Sequence, residues 1–369
     1  MNIFFPKEPE YETRVSLTLE SAKKFLDKGL DVSIEKSFAE HLGSSKKDFE
    51  DLGVKVSSRD EGFSNAEIIC SVRNISEEEL DKIKAGTLLV SFLDPFNEKS
   101  LVKKIKEKNI SAISMELIPR ISRAQSMDVL SSQANLAGYR SVIDAAEQFG
   151  KAFPMMMTAA GRVNPAKVMV LGVGVAGLQA IATAKRLGAV VSATDVRSAT
   201  KEQVESLGGK FIMVEDEEST NAETEGGYAK EMSEEYKKKQ AKLLEDNVAK
   251  TDIIITTALI PGKPAPKLIS KKMVDSMKVG SIIIDLASEF GGNCELTKHG
   301  EILNYKSKKI VGPKNLPASV SRDSSRLFAK NVINFLMNSC QSGKFSNFNW
   351  EDEVVKETCV IRNLKLKKS

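Results

Sequence analysis

The sequence predicts an α/β protein of two doubly wound parallel-sheet lobes joined by long helices. Three observations lead there. The chain has 369 residues, which is long for one domain and suits two. Short apolar runs alternate with amphipathic helical stretches in two successive series, the pattern of repeated βαβ units. Between an apolar run and an alanine-rich helix lies a glycine-spaced turn.

The first series gives strands at Asn2–Phe5, Asp31–Glu35, Ala66–Ser71, Thr87–Phe92 and Ile110–Met115. Between them lie helical patterns such as "LTLESAKKFLDKGL" and "EKSLVKKIKEKN", the second with Leu101, Val102 and Ile105 on one face. From Asp128 to Phe149 the chain reads as one long helix rich in alanine and small residues. A second strand series follows at Lys167–Leu171, Val190–Thr194, Phe211–Val214, Asp252–Thr257, Ser281–Asp285 and Ile310–Gly312. The final helix, "SRDSSRLFAKNVINFLMNSC", is assigned back to the first lobe, whose sheet needs a cover once the second pattern is complete. The expected domains are residues 1–130 plus 315–369, and residues 131–314. Residues 215–247 break the alternation with a Glu, Ser, Thr and Asn-rich run, Gly226-Gly227-Tyr228 and a charged helix. A loop this long inside a compact lobe reads as a lid over about 215–235, and Lys237–Lys239 as a solvated helix face.

Lysine and arginine total 54 against 50 acidic residues, a net charge of +4. No large basic field is left over, which argues against a nucleic-acid partner. The cysteines Cys70, Cys294, Cys340 and Cys359 are scattered, and neither histidine sits beside one. Reduced cytoplasmic thiols are expected, with no disulfide framework and no metal site. The start, "MNIFFPKEPEYETRV", turns acidic too soon for a secretory signal. The most apolar run, "VMVLGVGVAGLQAIATA", is interrupted by three glycines and Gln179 and falls short of a spanning helix. Attachment to a membrane would therefore go through a partner.

The stretch "VMVLGVGVAGLQAIATAKRLGAVVSATDVR" carries the strongest signal. Gly172, Gly174 and Gly177 follow an apolar strand and open a helix, and a second strand ends at Asp195. This is the Rossmann-like arrangement in which glycines admit a dinucleotide pyrophosphate to a helix N-terminus. Asp195 would accept hydrogen bonds from the adenosine ribose and repel a 2′-phosphate, favouring NAD over NADP. Arg197 reads as stacking on adenine or as a surface residue. A second wall is expected from "TTALIPGKPAP", which puts Ala258 and Leu259 at the carboxyl end of a strand; an ordinary proline-stiffened loop has the same spacing. Before this lobe, "RISRAQSMD" collects Arg120, Arg123, Gln125 and Asp128 without a histidine or an obvious nucleophile.

Taken in order, "KEPEYETRVSLTLES", the glycine segment, "ALIPGKPAP", "DLASEFGGNCE" and "NLPASVSRDSSRLFAKNVINFL" resemble the alanine dehydrogenase and nicotinamide nucleotide transhydrogenase family over essentially the whole chain. Within it, "PRISRAQSMDVLSSQANLAGYRSV" and "FNWEDEVVKETCVIR" resemble the NAD(H)-binding alpha subunits of the proton-translocating transhydrogenase branch. The resemblance implies direct hydride transfer between NADH bound here and NADP⁺ on a partner subunit. It also implies a homodimer, membrane subunits that carry the NADP site and the proton path, and a place at the cytoplasmic face of the inner membrane.

Residue by residue, the resemblance gives Arg120 a phosphate or carboxamide of the cofactor, and Gln125 a bridge from the nicotinamide side to the ribose of NADP. Asp128 with Ser131 would hold the carboxamide and the loop, while Arg123 is read as a surface or structural residue. Gly227 and Tyr228 match a loop that closes over nucleotide. Val175, Ala176, Val196, Gln240 and Leu259 complete the implied cofactor contacts.

An alanine dehydrogenase would share fold and cofactor but needs a proton-handling histidine after a first-lobe strand and a lysine for its substrate. The corresponding stretches read "LLVSFLDPFNE", with Asp94, and "CSVRNI", with Arg73, and the dehydrogenase-type Asp before the Gly pair is Glu289. His41 and His299 read as surface residues. A non-catalytic NAD sensor is the third reading, against which the Arg120–Gln125–Asp128 loop and Tyr228 argue.

Overall fold

Strands that are apolar at successive positions can be buried on both faces, and such strands build two seven-stranded sheets here. The computed structural model describes residues 1–214, 222, 232–260, 263–340 and 348–362. It divides into two units, Met1–Gln133 with Ala318–Ser369, and Ala134–Pro317.

In the first unit, β1 (Asn2–Phe5), β2 (Asp31–Glu35), β3 (Lys55–Ser57), β4 (Ile68–Cys70), β5 (Leu88–Ser91) and β6 (Ser111–Ser114) are joined by β16 (Cys359–Ile361). Their order is β16-β6-β5-β4-β1-β2-β3, parallel except for β16 against β6. Ile3 and Phe5 face one core, with Ala22, Phe25, Phe328 and Phe335 from covering helices. Phe4 faces the other, with Phe63, Leu101 and Ile105. Helices Leu19–Asp27, Lys46–Asp51 and Arg59–Asn65 start at Thr18, Ser45 and Ser58, each closing a reciprocal capping box.

The second unit opens with a two-stranded hairpin of β7 (Met156–Thr158) and β8 (Gly161–Val163). Its main sheet contains β9 (Lys167–Leu171), β10 (Val190–Thr194), β11 (Lys210–Phe211), β12 (Ile253–Thr256), β13 (Ile282–Asp285), β14 (Ile302–Tyr305) and β15 (Lys308–Val311). Their order is β11-β10-β9-β12-β13-β15-β14, with only β14 antiparallel. Val168, Val170, Ile253 and Ile255 enter one core and Met169, Leu171 and Ile254 the other.

The α/β fold with two parallel-dominated sheets follows the sequence reading, and the central strands lie within two residues of the expected bounds. Five differences stand out. β3, β14, β16 and the β7–β8 hairpin were not expected, and expected strand Phe211–Val214 is β11, only Lys210–Phe211. β3, β14, β16 and β11 are all edge strands, where one missing neighbour relaxes the demand for a continuous apolar run. Most of the expected lid, including Gly227 and Tyr228, and the tail "LKLKKS" lie outside the described residues.

Both sheets reverse strand order beside their first strand, between β1 and β4 and between β9 and β12. A doubly wound sheet opens a crevice at such a point, outside the carboxyl ends. Helix Val129–Gln148 helps position the second of these crevices. A Cβ on Gly138 would lie 2.1 Å from the backbone oxygen of Ala176, at the start of the helix that follows the glycine turn. Alanine normally favours a helix interior by about 1 kcal/mol, but here it meets backbone that cannot rotate away. Gly138→Ala is therefore expected to lower stability by about 1–3 kcal/mol, read from the urea midpoint; a rise in the midpoint would show that the contact yields.

Candidate nucleotide site

β9 delivers the chain into Gly172, whose φ of 96° lies in the left-handed region that glycine enters without strain. A Cβ there would lie 2.8 Å from Thr257 Oγ1 and 3.0 Å from the Ala258 nitrogen. The Thr257 hydroxyl donates to the Gly172 carbonyl at 2.9 Å, so the loop after β12 meets the bare backbone of Gly172 through one short side chain. Gly177 packs its helix turn onto Gly172: a Cβ would fall 2.0 Å from the Gly172 oxygen. Gly174 differs from both. It caps helix Val175–Arg186, is exposed, and would meet nothing within 4 Å of an added Cβ. That leaves room for an anion against the helix N-terminus, beside Val175 and Ala176.

Asp195 follows β10 and is buried. Its carboxylate accepts from Val173 N at 2.7 Å, Arg197 N at 2.9 Å, and Arg197 Nε and Nη2 at 2.8 Å each. Arg197 Nη2 also donates to the Val173 carbonyl at 3.2 Å. Arg197 is thus not a surface residue: its side chain is 12% exposed, because the guanidinium forks around Asp195. Four donors match the four acceptor positions of a carboxylate, so a ribose hydroxyl would have to exchange with one of them. Val196 packs with Met232 and Tyr236, the latter in helix Glu234–Val248, which also carries half-buried Gln240. Ala258 is half-buried and Leu259 exposed beyond β12. Thr257 was missed in the sequence, where the doubled threonine of "TTAL" gives no sign of which hydroxyl turns toward the glycines.

Arg120, Gln125, Asp128 and Ser131 belong to the first unit, and Gly172, Gly174, Gly177 and Asp195 to the second. Arg120 and Gln125 are exposed. Gln125 sits on the 3-10 turn Ser122–Met127, held by Ala124 and Met127, which enter the first core. The Ser126 carbonyl accepts from Asn331 Nδ2 at 2.8 Å and Asn334 Nδ2 at 3.0 Å. Arg123 pairs with Asp352, at 3.0 and 3.2 Å, which makes it a strut for the turn. Asp128 accepts from the Ser131 N–H at 2.9 Å and hydroxyl at 2.5 Å, capping the long helix.

The description "Alanine dehydrogenase/PNT, N-terminal domain" matches residues 4–137, and its C-terminal counterpart residues 141–369. The chain belongs to the alanine dehydrogenase/PNT family. Over 371 residues it is 52% identical to a Rhodospirillum rubrum protein named as the first part of the NAD(P) transhydrogenase alpha subunit, covering 98% of this chain and 97% of that one. A crystal structure of a transhydrogenase from Sinorhizobium meliloti superposes with a TM-score of 0.88 at 45% identity, over 98% of this chain and 99% of that one. The alanine dehydrogenase of Halomonas elongata is 29% identical over 353 residues, 93% of this chain and 88% of that one.

The crevice of the first sheet is filled by hydrogen bonds and ion pairs of its own chain. Glu8, after β1, accepts from the backbone N–H groups of Val72 at 2.6 Å and Arg73 at 3.0 Å. Glu12 accepts from Arg14 Nε at 2.8 Å, Arg14 Nη2 at 2.7 Å and Arg73 Nε at 2.8 Å. Arg14 Nη1 reaches Gln133 at 3.0 Å. The Glu12 side chain is fully buried. Burial pushes its pKa up, but the hydrogen bonds and charge of Arg14, with the charge of Arg73, outweigh this and hold it at about 2. For Glu8 burial wins over the two backbone donors and raises the pKa to about 7.

These shifts have opposite signs. Glu12 contributes stability present above its ordinary 4.5 and lost as pH falls toward about 2. Glu8 contributes stability present below 4.5 and lost as pH rises through about 7. In urea titrations across pH, Glu8→Gln is expected to remove the decline in midpoint between about pH 5 and 7. Glu12→Gln should cost about 3–5 kcal/mol at neutral pH by stranding the buried Arg14. A Glu8→Gln profile identical to the native one would place that titration elsewhere.

Proposed function

We propose that the chain is the NAD(H)-binding subunit of a proton-translocating transhydrogenase, passing hydride directly between NADH and NADP⁺ held by a partner subunit. The observation that carries this reading is the match along nearly the whole chain, at 52% identity, to a protein named as the first part of a transhydrogenase alpha subunit. The hydride leaves C4 of the dihydronicotinamide with its electron pair and arrives at C4 of the NADP⁺ nicotinamide. NADH is oxidised, NADP⁺ is reduced, and no proton is exchanged at either carbon. The protein's task is then orientation rather than acid–base catalysis.

The anchored turn around Gln125 suits that task. In this reading Gln125 bridges toward the ribose of NADP, Arg120 pairs with the bound NAD(H), and Asp128 with Ser131 hold the carboxamide and fix the loop. The second unit holds the dinucleotide through Gly172, Gly174, Val175, Ala176, Gly177, Asp195, Val196, Arg197, Ala258 and Leu259, with Gly227 and Tyr228 contributing from the expected lid and Gln240 from the helix after it. The first crevice speaks against amino-acid deamination, because Arg14 and Arg73 are already bound to Glu12 where a substrate carboxylate would need a cation.

The partners are membrane subunits carrying the NADP site and the proton path, and a second copy of this chain. Among the described residues no helix is long and apolar enough to cross a membrane, so attachment at the cytoplasmic face is assigned to those subunits. The β7–β8 hairpin supports a homodimer. A lone two-stranded hairpin is marginal in water, and this one exposes Met156 together with Met157, which is 72% exposed.

The test combines the full chain with an NADP-binding partner domain and the acetylpyridine analogue of NAD⁺. Adding NADPH should reduce the analogue only when the partner is present, with no NADH oxidation by pyruvate and ammonia. Partner-independent amination would overturn the reading in favour of an alanine dehydrogenase. Gln125→Asn should leave NADH affinity nearly unchanged and slow transfer roughly 10- to 100-fold by misaligning the rings. Lost affinity with an intact transfer rate would remove Gln125 from that role.

A further inference from the structure

The motif "DLASEFGGNCE" contains a side chain that the nucleotide reading does not use. Asn293 is fully buried. Its Oδ1 accepts from the Ala258 N–H at 3.0 Å, and its Nδ2 donates to the Ala258 carbonyl at 2.9 Å and the Pro266 carbonyl at 2.9 Å. Both amide donors are thereby used. β12 and β13 stay paired as far as Thr256 and Asp285. Beyond that point Asn293 supplies a further rung, bonding both backbone groups of Ala258 as a neighbouring strand would.

We propose that Asn293 is a positioning residue for nucleotide binding, which sets the wall after β12 at a fixed distance from the glycine turn. The inference rests on the reading of that turn as the NAD(H) site. Ala258 is next to Thr257, whose hydroxyl holds the Gly172 carbonyl, so the clamp reaches the turn through one residue. Asn293 also ties the two ends of the Ala258–Pro266 segment together.

Asn293 is itself held from three sides. Its backbone oxygen accepts from Leu268 N at 2.8 Å and Ile269 N at 3.0 Å. Buried Asp285 accepts from Thr256 Oγ1 at 2.8 Å, Ala287 N at 3.1 Å, Cys294 N at 3.0 Å and Thr297 Oγ1 at 2.6 Å. Gly292, at φ 79°, lets the chain turn against that carboxylate, since a Cβ there would lie 2.7 Å from Asp285 Oδ2. Ala258 and Pro266 are therefore held by contacts of their own chain, and binding does not bear the cost of placing them.

The experiment titrates NADH fluorescence on the full chain and three variants. Asn293→Ala is expected to weaken NADH roughly tenfold, the scale of one or two lost hydrogen bonds. Thr297→Val removes a bond to Asp285 but leaves the clamp, so it should lose thermal stability comparably and keep its affinity. Asn293→Asp turns a carboxylate toward two carbonyl oxygens, and only its protonated form can donate. Its NADH affinity should rise as pH falls from about 8 to 6, while the native chain shows no such gain. Affinity that simply follows thermal stability across the variants, or an unchanged Asn293→Ala, would overturn the inference. If the native chain itself takes up no NADH, the nucleotide reading falls with it.

Discussion

The second unit depends on one physical constraint: neighbouring segments must approach the backbone at the end of β9 more closely than a Cβ there would allow. Gly172, Gly177 and Gly138 each stand where a Cβ would fall on a neighbouring carbonyl or amide. Their absence of side chain draws the turn, the loop after β12 and the long helix together. Gly174 alone of the four has open space before it, so the same small residue creates contact at three places and room for an anion at one. Asp195 and Arg197 brace this turn through Val173.

The two sheets have corresponding strand orders and contrasting crevices. In the second, glycines keep the reversal point accessible to an anionic ligand. In the first, Glu8 and Glu12 occupy the equivalent region, and their own chain supplies the amides and guanidinium groups that a ligand would otherwise use. A carboxylate as deeply buried as Glu12 persists only because two arginines surround it. Shared architecture thus carries two opposite electrostatic outcomes.

The fold class was legible because the central strands are apolar on both faces, as "VMVL" and "DIIIT" show. Edge strands such as Lys55–Ser57 and Ile302–Tyr305 mix polar and apolar residues and escaped the pattern. The glycine turn was legible from its spacing, because left-handed backbone and close approach select glycine directly. The polar network was not. "KEPEYETR" reads like a solvated segment, yet Glu8, Glu12 and Arg14 are buried, and only the distant Val72, Arg73 and Gln133 explain why. Asn293 and Thr257 are of the same kind, since their partners lie on other loops. For Arg197 only the surface alternative falls, since its guanidinium is folded back on Asp195, and nothing local in the sequence signals that pairing.

The first unit is discontinuous, and this bears on how the protein is made. Its core contains Phe328, Val332, Phe335 and Leu336 from helix Ser321–Asn338, and one of its two edge strands is Cys359–Ile361. A nascent chain emerging from the ribosome holds every strand of the second unit before that helix appears. The later-starting unit is therefore able to condense first, while the amino-terminal residues wait with an uncovered sheet face. Exposed apolar surface and an unpaired edge of that kind invite aggregation, so this is the stage of synthesis at which a chaperone has most to protect.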